Sequence, residues 1–287
     1  MAAANMKAVK LRIKSVQNTM QITKAMQLVA ASKLRKAKEK ADASGPYLET
    51  LRETLTDIAN GNTEFVSPYT KASGNEKWLY VVIAGDRGLA GGYNSNLFKF
   101  MESETKDKDY DVVPIGKKSV EYFRHRGVGI LTEDFAEVAK VTVSDCFAIA
   151  KLICKEYSKG NYGHIAMCYT RFDSMLSQVP QSTSVLPLSD FAEPEERETT
   201  AAKDMILYEP DSETVFNTIV PEYLSGLLFT AINVSVASEL AARRTAMEAA
   251  TDNAQEMIDK LSLFYNRARQ ASITQEITEI VAGAEGQ

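Results

Sequence analysis

The feature that most constrains the fold is a long stretch near the carboxyl terminus that contains neither glycine nor proline. It covers residues 227–282, 56 residues in all, and the first 44 residues of the chain also lack both. At 1.5 Å per residue, a helix of that length would extend about 84 Å, well beyond an ordinary helix of a globular protein. The sequence therefore predicts two long terminal helices, each of which needs a partner helix to cover its apolar side.

Apolar and small residues in both terminal stretches recur in alternating steps of four and three, the spacing of a coiled coil. Near the carboxyl terminus, the first register is Val220, Leu224, Leu227, Ala231, Val234, Ser238 and Ala241, and the second is Ala254, Met257, Leu261, Phe264, Ala268 and Ala271. The amino-terminal positions are Val9, Ile13, Val16 and Met20, then Ile22, Met26 and Val29 after a drift. We expect a shifted seam in each helix. Because the helices are the first and last elements, we expect them to pair antiparallel.

Between these helices, strand-like and helix-like segments alternate. The predicted strands are residues 78–84, 111–115 and 164–169, and helices are predicted near residues 95–104, 119–125 and 143–153. Such alternation indicates a small α/β sheet that is parallel at least in part. Residues 189–204 are polar and acidic, and we expect them to form an exposed connector to the last helix.

A glycine-rich segment is the first candidate for chemistry. Residues 85–94, GDRGLAGGYN, follow a predicted strand and precede a helix, where phosphate-binding loops occur. The segment lacks the Lys-Ser/Thr ending of a P-loop, and its glycines at 85, 88 and 91 are spaced by threes rather than as G-x-G-x-x-G. A tight strand-to-helix turn is the favoured interpretation, and a small nucleotide-binding enzyme with helical extensions is the alternative.

The remaining reactive side chains do not form a recognisable site in the sequence. His125 and His164 are isolated, and the three cysteines, Cys146, Cys154 and Cys168, include no C-x-x-C pair. We therefore expect no catalytic residue, no cofactor and no metal, and buried thiols in a reducing compartment. No apolar run reaches the roughly 18 to 20 residues of a membrane span, so membrane association is expected to go through a partner.

Charge is distributed unevenly along the chain. Ten basic side chains against Glu39 and Asp42 give residues 1–45 a net charge of +8, although the whole chain has −5. Aromatic residues are absent from the first 46 positions, unlike many nucleic-acid-binding segments. The basic run at residues 33–38 is therefore interpreted as a solvated helix face or a surface for an acidic protein partner, with a nucleic-acid-binding coiled coil as the alternative.

Several of these segments match a known family. Residues 15–33, SVQNTMQITKAMQLVAASK, resemble the amino-terminal helix of the gamma subunit of F-type ATP synthases, and residues 86–94 resemble the turn in its central domain. Residues 249–253, AATDN, and 268–284, ARQASITQEITEIVAGA, are similar to its carboxyl-terminal helix. The resemblance implies an α/β protein with long helices: an antiparallel coiled coil of the amino- and carboxyl-terminal helices plus a central Rossmann-like α/β domain. The implied domains are residues 1–60, 76–190 and 209–287.

The resemblance also implies a function. A gamma subunit is the non-catalytic central rotor shaft, which transmits torque between the proton-driven c ring and the catalytic α/β ring and is required for ATP synthesis coupled to proton transport. The implied partners are the α, β, ε and c-ring subunits, with no nucleic acid, and membrane association is peripheral through the complex.

Contact residues follow from the same resemblance. Positions that match contacts with the α/β ring are Met26, Lys33, Arg35, Lys36, Arg243, Arg269, Gln270, Thr274 and Glu276. Tyr208 and Glu209 resemble the foot that rests on the c ring and ε. Ala90 stands where many relatives carry cysteine. There is no chloroplast-type cysteine insertion and no transit peptide before Met6, so we expect the cytoplasmic face of a bacterial inner membrane.

Overall fold

The structure, a computed structural model, describes residues 2–60, 66–71, 74–189 and 208–285. The helices are α1 (Ala2–Asn60), α2 (Tyr93–Glu104), α3 (Lys117–Arg126), α4 (Val143–Ser158) and α5 (Ser212–Glu285). The strands are β1 (Trp78–Ile83), β2 (Tyr110–Ile115), β3 (Gly129–Ile130), β4 (His164–Phe172) and β5 (Gln178–Leu186), with a short 3-10 helix at Val138–Lys140. The connector predicted at residues 189–204 lies outside the described residues except for its first position.

The strands form one mixed sheet in the order β3-β2-β1-β4-β5. The first three and β4 are parallel, and β5 returns antiparallel to β4. The prediction of an α/β sheet that is partly parallel is confirmed. The sequence analysis missed β3, which has two residues, and β5, whose sequence QVPQSTSVL lacks the apolar run of a buried strand.

Alternate residues of β1 enter two different cores. Leu79, Val81 and Ile83 join a large cluster with residues of α4 and α5, whereas Tyr80 and Val82 pack in a second cluster with residues of α2 and α3. Because the segment WLYVVI is covered on both faces, it reads as a continuous apolar run.

The chain divides into two compact units. The sheet unit comprises Lys33–Ala242, and the helix-end unit comprises Met1–Ser32 with Arg243–Gln287. Each is described by itself below.

In the sheet unit, α1 and α5 run antiparallel. The hydroxyls of Ser44 and Thr230 lie 2.7 Å apart, and four residues further along α1, Leu48 meets Gly226, four residues back along α5. A Cβ on Gly226 would lie 2.6 Å from Leu48 Cδ2, so the glycine permits this close approach. The antiparallel pairing is confirmed.

The residues of the first predicted register of α5 are all buried or half-buried, but the buried face of the helix is wider than this register. Leu228, Ile232 and Ser235, outside that register, are also buried. The reason is that α5 packs against the sheet as well as against α1.

In the helix-end unit, the buried positions of α1 continue at one heptad spacing, whereas the sequence predicted a shift of register after Met20. Val9, Ile13, Val16 and Met20 are half-buried as expected. The next seam residue is Thr23, whereas the predicted Ile22 is 60% exposed and Val29 is 55% exposed. Thr23 Oγ1 lies 2.8 Å from Thr251 Oγ1 of α5, so this polar seam position is satisfied by hydrogen bonding across the pair. The predicted drift is wrong.

The second register of α5 is wrong by one residue at several positions. Ala254, Leu261 and Ala268 face inward, as predicted. Met257 is 43% exposed and Phe264 is 51% exposed, and their neighbours Ile258 and Tyr265 are the more buried. The heptad spacing that the structure follows is Met247, Thr251, Ala254, Ile258, Leu261, Tyr265, Ala268 and Ser272. The polar Thr251 hides this spacing from a search for apolar residues.

One part of α5 also changes the expectation about membrane spans. Within Ser212–Ala282, an 18-residue window is long and apolar enough to cross a membrane by composition alone, contrary to our expectation that no run would be. In the structure 67% of that window is buried inside the protein. Its apolar character is that of a helix packed within a core.

Candidate partner-contact surfaces and the glycine turn

The glycine-rich turn joins β1 to α2 and lies close against α5. The Gly85 amide donates to Asn94 Oδ1 at 2.9 Å, which closes the turn. A Cβ on Gly85 would lie 2.7 Å from Oε1 of Glu239, whose side chain is nearly buried. Gly91 has a φ of +55°, which favours glycine. These contacts confirm a tight turn in which two positions favour glycine.

Asp86 in this turn hydrogen-bonds the first residues of two neighbouring elements. Its Oδ1 accepts hydrogen bonds from the amides of Lys117 at 3.2 Å and Val138 at 2.9 Å, and Oδ2 accepts one from Ala139 at 3.2 Å. These amides begin α3 and the 3-10 helix, whereas a phosphate in this turn would bind the first amides of α2. The Asp86 carboxylate thus joins the turn to those two elements, and with Glu239 it places two carboxylates beside the turn, which favours a structural role over phosphate binding.

A buried group of hydroxyls attaches α5 to the same edge of the sheet. Ser235 Oγ lies 2.7 Å from the Tyr93 hydroxyl and 3.4 Å from the Ile83 carbonyl oxygen. One helical turn later, Ser238 Oγ donates to the Thr170 carbonyl at 2.9 Å. Sequence reasoning placed Ser238 in the coiled-coil seam and missed Ser235. The sequence signal for this contact was the presence of two serines three residues apart in an otherwise apolar helix.

The basic residues predicted to meet the α/β ring are exposed on one stretch of α1 in the sheet unit. Lys33, Arg35 and Lys36 face solvent, whereas the adjacent Leu34 and Ala37 are buried. Arg35 Nε lies 3.8 Å from Oε1 of Glu39 in an exposed pair that contributes little to stability. The structure therefore brings these three side chains together on a cationic surface.

The candidate residues in the helix-end unit lie on both helices. Met26 and Arg243 are half-buried. The other four, Arg269, Gln270, Thr274 and Glu276, are exposed on α5. Three isoleucines on the same part of α5 are also exposed, Ile273 by 49%, Ile277 by 56% and Ile280 by 71%. This end of α5 presents mixed polar and apolar side chains to solvent.

The proposed foot residues belong to the sheet unit. Tyr208 is half-buried and packs against the large core cluster, and Glu209 is exposed. Both precede the first residue of α5. Within the sheet unit, the foot residues thus precede α5, whereas the basic candidates lie on α1.

The cysteines are packing residues. Cys146, Cys154 and Cys168 are all free and buried. Burial raises the pKa of each thiol to about 12, so the thiols are protonated and unreactive near neutral pH.

Comparison with known proteins agrees with this architecture. The sequence profile of a family described as ATP synthase matches residues 5–286. The chain is 47% identical over 284 residues to the ATP synthase gamma chain of Ruminococcus albus, covering 96% of each chain. It is 41% identical over 283 residues to the ATP synthase gamma chain of Alkaliphilus metalliredigens, covering 98% of each.

Two solved structures support the fold. A chain of the Euglena gracilis mitochondrial ATP synthase OSCP/F1/c-ring structure matches with a TM-score of 0.71 and 19% identity, over 99% of this chain and 95% of that one. A chain from the Tetrahymena thermophila central stalk and c-ring structure matches with a TM-score of 0.58 and 21% identity, over 80% of this chain and 99% of that one. With long paired helices, a central mixed sheet and full-length relatives, the chain belongs to the ATP synthase gamma-chain family.

Proposed function

We propose that this chain carries torque between the c ring and the catalytic α/β ring through the side chains named above. The chain is a central-stalk subunit of F-type ATP synthase, required for ATP synthesis coupled to proton transport and not itself catalytic. The observation that carries the torque proposal is the pairing of α1, with 59 residues, and α5, with 74. Long helices joined along a seam resist twisting better than a single helix does.

Conformational linkage couples rotation of the shaft to the ATP chemistry of the catalytic subunits. An asymmetric shaft presents different side chains to otherwise equivalent catalytic subunits. Each shaft angle then stabilises a different set of open and closed subunits by the difference in contact free energy. Rotation is thereby converted into a sequence of nucleotide affinities, and the shaft needs no active site of its own.

The contacts with the α/β ring are proposed to be of two kinds. In the sheet unit, exposed Lys33, Arg35 and Lys36 suit an acidic segment of β. In the helix-end unit, the residues are Met26, Arg243, Arg269, Gln270, Thr274 and Glu276. The exposed isoleucines beside the last four suit an apolar bearing, where few strong ion pairs would hinder sliding.

Contact with the c ring and ε is assigned to Tyr208 and Glu209. Their position before α5 and the packing of Tyr208 on the core favour a fixed foot. The division into residues 1–60, 76–190 and 209–287 is part of the same proposal, supported by the end of α1 at Asn60 and the start of α5 at Ser212.

The subunit associates with a membrane peripherally, through its complex. We place it at the cytoplasmic face of a bacterial inner membrane, because the relatives compared above include gamma chains from bacteria.

Reconstitution tests the proposal. ATP hydrolysis by purified α and β subunits is measured with no added chain, with the wild-type chain, and with Arg269→Ala plus Gln270→Ala. The chain should raise steady turnover, and the double variant should weaken this effect. Lys260→Ala, which removes an exposed side chain paired only with Glu256 in its own helix, serves as the matched control. Failure of α and β to bind the chain, or to respond to it, would contradict the proposal.

A further inference from the structure

The turn between β4 and β5 presents an apolar side chain on an ordered support. Leu176 is 86% exposed, the largest fraction among the exposed large apolar side chains of the described residues. Ser174 Oγ accepts hydrogen bonds from the amides of Leu176 at 3.3 Å and Ser177 at 3.1 Å. Gln178 Nε2 donates to the carbonyls of Ser174 at 2.9 Å and Met175 at 3.0 Å. A lone exposed leucine is ordinary, but this one stands on a turn held by these four hydrogen bonds and by two more, from the amides of Asp173 and Ser174 to the Ser177 carbonyl.

Basic residues of α1 lie beside this turn. Lys38 Nζ lies 4.6 Å from the ring centroid of Phe172, the residue immediately before the turn. Lys38 continues the exposed basic run that begins at Lys33. Arg171, near the end of β4, is paired through Nε with Oδ1 of Asp173 in the turn at 2.6 Å, so those two charges offset each other. The charge at this place is therefore that of α1, and it favours an acidic partner.

The proposed foot lies at the other edge of the sheet. Asn217, in the second turn of α5, accepts a hydrogen bond from Ser67 at 2.7 Å. Two residues after Ser67, the Tyr69 carbonyl accepts a hydrogen bond from the amide of Leu188. Leu188 follows the end of β5, and that end of β5 pairs with the start of β4. The beginning of α5 is thus at the amino edge of the parallel strands.

The β4–β5 turn is at the carboxyl edge. β4 runs parallel to β1 and ends at Phe172, and α5 reaches this end through the bond from Ser238 to Thr170. From position 217 to position 238, α5 rises by about 32 Å at 1.5 Å per residue. The turn and the foot are therefore on opposite edges of the sheet unit, which argues against the c ring as the partner of Leu176.

We infer that residues 173–177 form a docking element for the catalytic ring. Leu176 enters an apolar depression in the acidic segment of a β subunit, beside the contact made by Lys33, Arg35 and Lys36. The inference rests on the proposed function, since it extends the same contact from α1 to the sheet. The rigid turn lowers the entropic cost of docking, because its backbone is already ordered.

Photo-crosslinking in the assembled complex tests the inference. A benzoylphenylalanine replaces Leu176 in one chain and Lys106 in another. Lys106 is exposed in the segment that leads into β2, at the amino edge. Position 176 should give adducts with β, and position 106 should give none with α or β. Adducts of position 176 with α, ε or c only, or no adducts in a complex that has assembled, would overturn the inference and leave the proposed function standing. A chain that does not co-purify with α and β would overturn both.

Substitution gives a second measurement on the same element. Leu176→Asp should raise the chain concentration needed for half-maximal activation of α/β ATP hydrolysis about tenfold, since an apolar contact is replaced by a like-charged one. Leu176→Met should leave it within about twofold, because Met keeps the apolar volume. Equal activation by the wild type and by Leu176→Asp would contradict the inference. The exposure of position 176 keeps either change from unfolding the chain.

Discussion

The hydroxyl of Tyr93, in the first turn of α2, lies 2.7 Å from Oγ of Ser235 in α5, and both side chains are buried. This pair ties the carboxyl edge of the sheet to the helix that carries torque. In a buried place, either hydroxyl left without its partner costs more than the bond contributes.

Ser235→Ala should therefore lower the free energy of unfolding of the sheet unit by about 1–3 kcal/mol, because it removes a buried hydroxyl that bonds both the Tyr93 hydroxyl and the Ile83 carbonyl. Tyr93→Phe should cost a similar amount. The double variant should cost less than the sum, since both partners are then removed. Denaturant unfolding of the full chain measures these values. Thr218→Ala is the control, because Thr218 is exposed and bonds only the Thr214 carbonyl of its own helix. Strict additivity of the two single changes would contradict the coupling.

The glycine turn allows a matched pair of alanine substitutions. Gly85→Ala would place Cβ 2.7 Å from Glu239 Oε1, whereas a Cβ on Gly88 meets nothing within 4 Å. We expect Gly85→Ala to destabilise the chain by about 1 kcal/mol, because the buried Glu239 carboxylate must shift, and Gly88→Ala to change stability by under about 0.5 kcal/mol. Thermal unfolding compares them, and equal stability of the two variants would show that the turn is not packed as described.

Asp86 distinguishes a structural turn from a nucleotide site. Because the turn lacks a phosphate-binding sequence and has the carboxylates of Asp86 and Glu239 beside it, the isolated chain should show no saturable micromolar binding of labelled ATP or NAD. Asp86→Ala should lower the melting temperature without creating such binding. Calorimetric titration of the wild-type chain and the variant is the measurement. Saturable binding by the wild-type chain would favour the enzyme alternative.

The register of the α1–α5 pair in the helix-end unit can be tested with two neighbouring residues of α5. Ile258 is 8% exposed and Met257 is 43% exposed. Ile258→Ala should destabilise this unit by about 2 kcal/mol or more, and Met257→Ala by under about 0.5 kcal/mol. Amide hydrogen exchange near Thr23 and Thr251 reports the local stability of the pair. The reverse order of effects would restore the register predicted from the apolar pattern.

Alkaline pH should weaken the fold through the buried thiols. Burial raises the pKa of Cys146, Cys154 and Cys168 from 9.0 to about 12. Above pH 9 the unfolded chain loses these protons while the folded chain keeps them, so the folded state binds more protons and its stability falls as the pH rises. Their contribution is fully present below pH 9 and is lost progressively toward pH 12.

Urea unfolding at a series of pH values checks the direction, and a thiol reagent at pH 8 checks the burial. The folded chain should react far more slowly than the chain unfolded in urea. Reaction of all three thiols in the folded chain at the rate of the unfolded chain would contradict their burial.

The sequence predicted the elements whose pattern is apolar and uniform. The run of β1 and the heptads of Val9 to Met20 were read correctly, because burial there selects apolar side chains. Thr23, Thr251 and Ser235 were missed because hydroxyls at buried positions depend on a partner distant in sequence. Strand β5 was missed because an edge strand need not be apolar on both faces. The exposed contact residues carry no pattern of their own, and their roles come from the resemblance.

Rotation of this chain within the α/β ring, which torque transmission requires, can be observed directly. The exposed side chain of Lys106 can be replaced by cysteine and labelled selectively, because the three native thiols are buried. With α and β subunits fixed to a surface and a bead attached at position 106, added ATP should turn the bead in one direction, with pauses set by the repeating catalytic subunits. ATP hydrolysis at the same rate with a stationary bead would contradict the proposal.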